Sequence, residues 1–316
     1  MAEGLIPNPR KLQENIVKTR RSLYGSSKGI TVNTTAAAIN QARAMAQEKN
    51  FKNAIDTLAA ALSIATQKNQ AALCFELGKY QLEYYLENQL SEFLNGSRAN
   101  FKISYDAGQR DRNLFTLWYE ADSIAKDYSS AIEVSSLALQ NKVNQLEWLR
   151  KRASKYLQLS RQMANALNFE LTVDYKKKAA RDITAAIKQS SDIEKLPLIQ
   201  LHQDNNDELW NLFIRKSISA LSDQVDRFEL ARFFISNGDK RRLNYERLFA
   251  SLSGGIRHIN SRGKASHDQI NLIQSLTQQA RSLSSNERSR SGDLENVLVG
   301  LEQQTGDLIL KFRKNK

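Results

Sequence analysis

Apolar residues recur every three or four positions along most of this 316-residue chain, between short polar stretches. That spacing gathers them on one face of an α-helix, which turns once in 3.6 residues. Only 3 prolines are present, so few positions interrupt a helix by removing a backbone donor. The pattern predicts an all-α protein of antiparallel helical hairpins or a bundle, arranged as two helical subdomains. The predicted helices cover residues 10–24, 33–49, 51–67, 69–94, 114–126, 128–142, 146–167, 176–189, 208–221, 227–236, 242–252, 268–284 and 293–312.

Two short stretches alternate apolar and polar residues instead, FKISY at 101–105 and FELTVDY at 169–175. Period two is typical of a β-strand, and these two could pair. Each is one short run between helical patterns, so we favour an extended loop or a helix end over a small strand element. Polar or glycine-containing stretches at 95–100 and 253–255 predict connections between helices.

The helical period is lost around Pro197, in the stretch IEKLPLIQLHQDNND. Asn206 or Asp207 could then cap a new helix, because their side-chain oxygens accept from free N–H groups at a helix start. We therefore place a domain boundary here. The predicted organisation is an N-terminal arm and first helix (1–30), a helical-hairpin domain (31–196) and a C-terminal helical domain (197–316).

One similarity within the chain is clear. NFKNAIDTLAAAL begins at position 50, DYSSAIEVSSLAL begins at 127, and the same residue types recur 77 positions apart. The first stretch resembles a tetratricopeptide hairpin, whose second helix carries an aromatic and small residues that let neighbouring helices approach. The positions that carry this resemblance are Ala42, Met45, Phe51, Ala54, Leu58 and Ala61, and more loosely Trp118, Tyr128, Ala131 and Ala138.

The resemblance implies a groove that holds a peptide or a neighbouring subunit. However, 77 is not a multiple of the 34-residue tetratricopeptide period, and position 88, which lies 34 after Ala54, carries no signature. Unrelated hairpins with closely packed helices would show the same pattern, so both interpretations stay open. In the first, the candidate protein-binding residues are Phe51, Ala54, Leu58, Tyr128 and Ala131.

The chain carries a net charge of +12, with a pI near 9.6. Residues 142–181 hold ten Lys and Arg against three acids. An apolar seam runs through this region at Leu146, Leu149, Ala153, Tyr156, Ser160, Met163 and Leu167, which would place Lys151 and Arg152 on the outer face. Such cations neutralise phosphates or other anions. The candidate polyanion-binding residues are Arg150, Lys151, Arg152, Lys155, Lys176, Lys177, Lys178 and Arg181.

No pattern in the sequence supports catalysis, a metal or a cofactor. The three histidines lack a ligand spacing, no phosphate loop occurs, and the single Cys74 lies in an apolar helical run. The sequence also lacks a secretory signal at its start and an apolar run long enough to span a membrane. We therefore expect a protein that is not an enzyme, located in the cytoplasm or within a viral particle.

Two functions follow from these features. The first is a scaffold or adaptor, a structural subunit of a larger assembly such as a virion or a secretion apparatus. It would bind neighbouring protein subunits through helical faces, as an oligomer or hetero-assembly, with residues 1–10 as an arm onto a partner. The alternative is non-specific nucleic-acid binding through the basic region at 142–181.

Overall fold

The computed structural model describes residues 33–215, 220–285 and 292–313, and within these ranges the chain forms 13 α-helices and no strand. The all-α prediction is confirmed. The predicted arm and first helix, residues 1–30, lie outside the described residues. The helices are α1 (Asn33–Gln47), α2 (Phe51–Ser63), α3 (Gln67–Asn88), α4 (Ser91–Asp106), α5 (Arg112–Ile124), α6 (Tyr128–Gln140), α7 (Gln145–Asn165), α8 (Phe169–Gln189), α9 (Asp192–Arg215), α10 (Ala220–Ser236), α11 (Arg242–Arg262), α12 (His267–Ser285) and α13 (Gly292–Arg313).

The chain divides into two compact units, an N-terminal unit that ends at Lys155 and a C-terminal unit that begins at Tyr156. The boundary between these compact units lies at residue 155, whereas the sequence predicted a boundary at residue 196. Whether 31–196 and 197–316 fold as independent domains stays a prediction. Pro197 lies inside α9 and does not precede a new helix. The helical spacing of apolar residues is not visible in the sequence around Pro197, because the buried face of α9 includes polar residues such as His202 and Asn205.

The N-terminal unit is built from three consecutive hairpins, α1 with α2, α3 with α4, and α5 with α6. The first helices of these hairpins also contact one another, α1 with α3 and α3 with α5. The second helices begin at Phe51, Ser91 and Tyr128, which lie 40 and 37 positions apart. The similarity at a spacing of 77 therefore relates the first hairpin to the third, with a different hairpin between them.

In the middle hairpin the small residue at the helix contact lies on the first helix instead of the second. In the first and third hairpins the second helix contributes small buried residues, Ala54 and Ala131, which are 0% exposed. At the spacing above, position 101 of α4 corresponds to Ala61 but carries Phe101, also 0% exposed. The small residue is instead Gly78 on α3, where an added Cβ would lie 2.9 Å from Cε1 of Phe101. The helices approach closely in both arrangements.

The stretches predicted as strands or connections are helical. Residues 95–100 and FKISY at 101–105 lie in α4, and FELTVDY at 169–175 begins α8. An alternating run this short also fits a helix face, and α4 buries Phe101 and Ser104 one turn apart. Residues 253–255 lie within α11, where Gly254 and Gly255 make room for side chains of neighbouring helices rather than for a turn.

In the C-terminal unit, α8 pairs with α9 and α10 pairs with α11, while α12 and α13 pack on each other and on α11. Its apolar core is one cluster around Phe228, Phe234, Leu248 and Leu298, all 0% exposed. Hydrophobic burial on this scale is the main force that holds such helices together.

A buried polar cluster joins the turn between α10 and α11 to α8 and α9. His202 lies 5% exposed, with Nδ1 3.4 Å from the Asn206 amide nitrogen and Nε2 3.2 Å from the Thr184 hydroxyl. Asn206 donates to Oδ2 of Asp239 at 2.9 Å, and Nε of Arg241 donates to Oδ1 at 2.8 Å. Burial lowers the pKa of His202 from its ordinary value, because a charged imidazole would lose its hydration.

Candidate protein-binding groove

A cavity of about 640 Å³ opens on the N-terminal unit, between the first helices of its three hairpins. Helices α1, α3 and α5 supply nearly all of its wall, and α2 adds one side chain. The lining residues are Arg43, Ala46, Gln47, Phe51, Phe75, Glu76, Lys79, Tyr80, Glu83, Asn113, Thr116, Leu117 and Glu120. The volume lies in the range of ordinary ligand pockets, roughly 300–1,000 Å³.

The groove takes lining residues from the three first helices at similar sequence separations. Ala46, Lys79 and Asn113 line it from α1, α3 and α5, at spacings of 33 and 34 residues. The side-chain bond from Arg43 to Glu76 also spans 33 residues. The first helices themselves begin at Asn33, Gln67 and Arg112, which lie 34 and 45 positions apart. Only the first interval matches a tetratricopeptide unit of about 34 residues, because α3 and α4 are both longer than α1 and α2.

The apolar part of the groove is formed by aromatic rings. Phe51 and Tyr80 stack with their ring centres 6.4 Å apart, and Phe75 and Leu117 are half-buried beside them. Burial and the nearby Glu76 carboxylate raise the pKa of Tyr80 to about 12, so its hydroxyl stays neutral. Phe51 and Tyr80 are only 7% and 3% exposed, so the apolar area open to a bound side chain comes mainly from Phe75 and Leu117.

The charged part of the groove has an excess of carboxylates. Glu76, only 4% exposed, pairs with Arg43, which donates from Nε at 3.1 Å. Lys79 places its ammonium 5.0 Å from the centre of the Tyr80 ring. Glu83 and Glu120 form no ion pair with any residue that the structure describes. The groove thus has three carboxylates against the two cations Arg43 and Lys79, a small negative excess in a chain whose overall charge is strongly positive.

Most of the predicted protein-binding residues lie beneath the surface. Ala54, Leu58 and Ala131 are 0% exposed between packed helices, where they hold hairpins together, and their role in protein binding stays a prediction. Tyr128 is half-buried, with the Lys155 ammonium 5.2 Å from its ring centre. Of the five, Phe51 alone lines the groove. The residues that resemble the tetratricopeptide pattern are those required for packing, and the groove is lined by the facing helices.

The candidate polyanion-binding residues are divided between the two units, four in each. In the N-terminal unit, Lys151 and Arg152 were expected on the outer face but are half-buried. Lys151 lies 4.5 Å from the ring centre of Trp148, and Arg152 donates to the Ser136 hydroxyl at 3.0 Å. Lys155 is 7% exposed, and Arg150 is half-buried. Lys151 and Arg152 are less exposed than the predicted seam implied, because α7 also buries Trp148 completely, and Trp148 lies outside that seam.

The other four candidates lie on α8 in the C-terminal unit. Lys176 is 5% exposed and pairs with Glu208, so its charge is already used within the fold. Lys178 pairs with Asp174 at 2.7 Å, while Lys177 and the exposed Arg181 lie against the Phe233 ring. These cations do not form a continuous exposed row on α8. Their role in polyanion binding stays a prediction.

Sequence reasoning missed the groove because its charged residues come from separate helices. Glu83 has the spacing of an ordinary helix face, and Glu120 lies two residues before the buried Asp122 on α5. Nothing within one helix distinguishes them from solvated residues. The available signal was the interval of 34 residues between the starts of α1 and α3, whereas the comparison at Ala54 followed the second helices.

Comparisons with known proteins identify no family. No protein-family model matches the chain, and no curated protein matches it. Among solved structures, one match is the 2.39 Å crystal structure of a tetratricopeptide repeat protein from Parabacteroides merdae ATCC 43184. It has 13% identity and a TM-score of 0.38, over 86% of this chain and 99% of that chain. No helix within the described residues is both long and apolar enough to cross a membrane.

Proposed function

We propose that this protein is a non-catalytic helical scaffold that binds a segment of a partner protein in the groove between α1, α3 and α5. The observation that supports this most is the groove itself, which combines a cavity of about 640 Å³, an aromatic floor and two unpaired carboxylates. Apolar anchors with a few charged groups are the usual composition of peptide-binding surfaces. A subunit role in a larger assembly, such as a virion or a secretion apparatus, would use the same groove.

The charges of the groove define the partner segment. Glu83 and Glu120 favour Lys or Arg on the peptide, because each would supply the counter-charge that the fold lacks. The half-buried Phe75 and Leu117 favour an apolar or aromatic residue beside those cations. The expected ligand is therefore a short peptide that alternates basic and apolar residues.

A selection from a random peptide library against the full chain tests the proposal, followed by affinity measurements on the selected peptides. The test variant combines Glu83→Lys and Glu120→Lys. The control variant combines Asp56→Lys and Glu133→Lys, two exposed acids of α2 and α6 that lie outside the groove lining. Both variants change the net charge equally.

Basic–apolar peptides should be enriched, and the groove variant should weaken their binding by about tenfold or more, because two attractions become repulsions. The control should retain the affinity within about twofold. Equal losses in both variants would show a general charge effect and contradict the proposal, as would a selection with no basic–apolar enrichment.

A further inference from the structure

The sequence just before α1 has the chemistry that the groove requires. Residues 10–24 read RKLQENIVKTRRSLY, with five Lys and Arg against one Glu. The predicted helix would place Leu12, Ile16 and Leu23 on one face. The segment is thus both basic and amphipathic, whereas the groove lining combines aromatic residues with three carboxylates and the two cations Arg43 and Lys79.

We propose that residues 10–24 bind in the groove of the same chain, where they compete with the partner segment. This inference rests on the proposed function of the groove. The charge argument is specific, since Glu83 and Glu120 lack counter-ions among the described residues while residues 10–24 carry a net charge of +4. The interaction would supply the missing cations from the chain itself.

The distances allow this contact within one chain. Arg43, at the edge of the groove, lies ten residues after Asn33, which is about 15 Å along α1 at 1.5 Å per residue. Residues 25–32 can extend to about 26 Å at 3.3 Å per residue. The connection is therefore long enough to return along α1 and place residues 10–24 over the groove.

The size of the segment also fits. A helix of 15 residues is about 22 Å long. Three helices packed side by side, such as α1, α3 and α5, have outer axes about 16–20 Å apart at the usual interaxial distance of 8–10 Å. Residues 10–24 can therefore lie across all three first helices and bring Arg20 or Arg21 to the carboxylates of Glu83 and Glu120.

Cysteine cross-linking in the full chain tests the inference. The test variant combines Ile16→Cys with Asn113→Cys, an exposed residue of the groove lining, and is treated with a short bismaleimide. The control combines Ile16→Cys with Asn95→Cys, an equally exposed residue of α4 outside the lining. The native Cys74 is buried, and the single Ile16→Cys variant measures any background from it.

We expect intramolecular cross-linking to exceed the control by about tenfold or more, as for two groups held at high effective concentration. Adding Glu83→Lys and Glu120→Lys should reduce it to the control level. Equal cross-linking in test and control variants would overturn the inference. Cross-linking only between two chains would also overturn it, because it would assign the groove to a second copy.

The outcome is separable from that of the proposed function. Absence of the cross-link, together with groove-dependent binding of selected peptides, would refute the internal contact and leave the scaffold function standing. A strong intramolecular cross-link, with no peptide binding even in the Arg20→Glu, Arg21→Glu variant that lacks the competitor, would support the internal contact and refute the scaffold function. If both the cross-link and peptide binding are observed, the Arg20→Glu, Arg21→Glu variant should bind the peptide about tenfold more tightly, because the competing segment no longer occupies the groove.

Discussion

Replacing Gly78 by alanine tests the close approach of α3 and α4. The new Cβ would lie 2.9 Å from Cε1 of Phe101 and 3.1 Å from the carbonyl oxygen of Ser97, so at least one neighbour must move. Overpacking of this kind costs about 1–3 kcal/mol. Alanine offsets about 1 kcal/mol of that cost, because it favours the helix over glycine. The free energy of unfolding should therefore fall by about 0–2 kcal/mol.

A matched glycine separates the two effects. Gly300 lies within α13, and a Cβ there would meet no atom within 4 Å. Gly300→Ala should raise the free energy of unfolding by about 1 kcal/mol, which is the helix preference alone. The difference between the two substitutions, about 1–3 kcal/mol, then measures the steric cost at Gly78.

Urea denaturation followed by circular dichroism and tryptophan fluorescence provides the measurement. Repeating Gly78→Ala in a Phe101→Leu background should recover about 1 kcal/mol or more, because the ring that the methyl group meets is gone. Two results would refute the reasoning. One is a Gly78→Ala variant as stable as Gly300→Ala, and the other is an unchanged effect of Gly78→Ala without the Phe101 ring.

Three further predictions concern buried charges. The pKa of His202 is lowered by burial, so its contribution to stability is present above about pH 6.5 and is lost as the pH falls below it. Denaturation at pH 7 and pH 5 should therefore show a fall in the free energy of unfolding that is smaller in the His202→Gln variant. An equal fall in both proteins would contradict this. Arg98 pairs with Asp122, which is 0% exposed, so Arg98→Leu should cost about 3 kcal/mol or more at pH 7. That cost should shrink at pH 5, because burial already raises the pKa of Asp122 and protonation removes the stranded charge, and denaturation at the two pH values checks it. Lys155 lies over the rings of Tyr119 and Tyr128, so thermal denaturation should show Lys155→Glu to be destabilising by about 2 kcal/mol or more and Lys155→Met by less than about 1.5 kcal/mol, whereas a freely solvated lysine would show no such difference.

The helical class and most helices could be predicted from the sequence because helix formation depends on local spacing. Helix α5 shows this, since its buried Leu114, Phe115 and Trp118 recur at helical intervals. The errors occurred where the identity of a residue is explained by its contacts with a distant helix rather than by its neighbours in sequence. Gly254 and Gly255 look like a turn, but they accommodate Gln224 and Ile273 from other helices.

The candidate site could not be predicted in the same way. Its lining depends on which helices face each other, and the resemblance at Ala54 and Ala131 identified the packed side of the hairpins. The charge bias was also misleading, because buried cations such as Lys155 and Lys176 contribute to the total without being available to a ligand. Phe51 belongs to both sets, because it is buried at the start of α2 and is also one of the lining residues of the groove.

Hydrogen exchange of the full chain, with and without a selected basic–apolar peptide, tests the central claim most directly. Backbone amides beneath a bound ligand exchange more slowly, because binding suppresses local opening. The account predicts that slowed exchange concentrates in α1, α3 and α5, and that the Glu83→Lys, Glu120→Lys variant loses it at the same peptide concentration. Slowed exchange confined to α2, α4 and α6, or to the C-terminal unit, would contradict the assignment of this groove as the binding site.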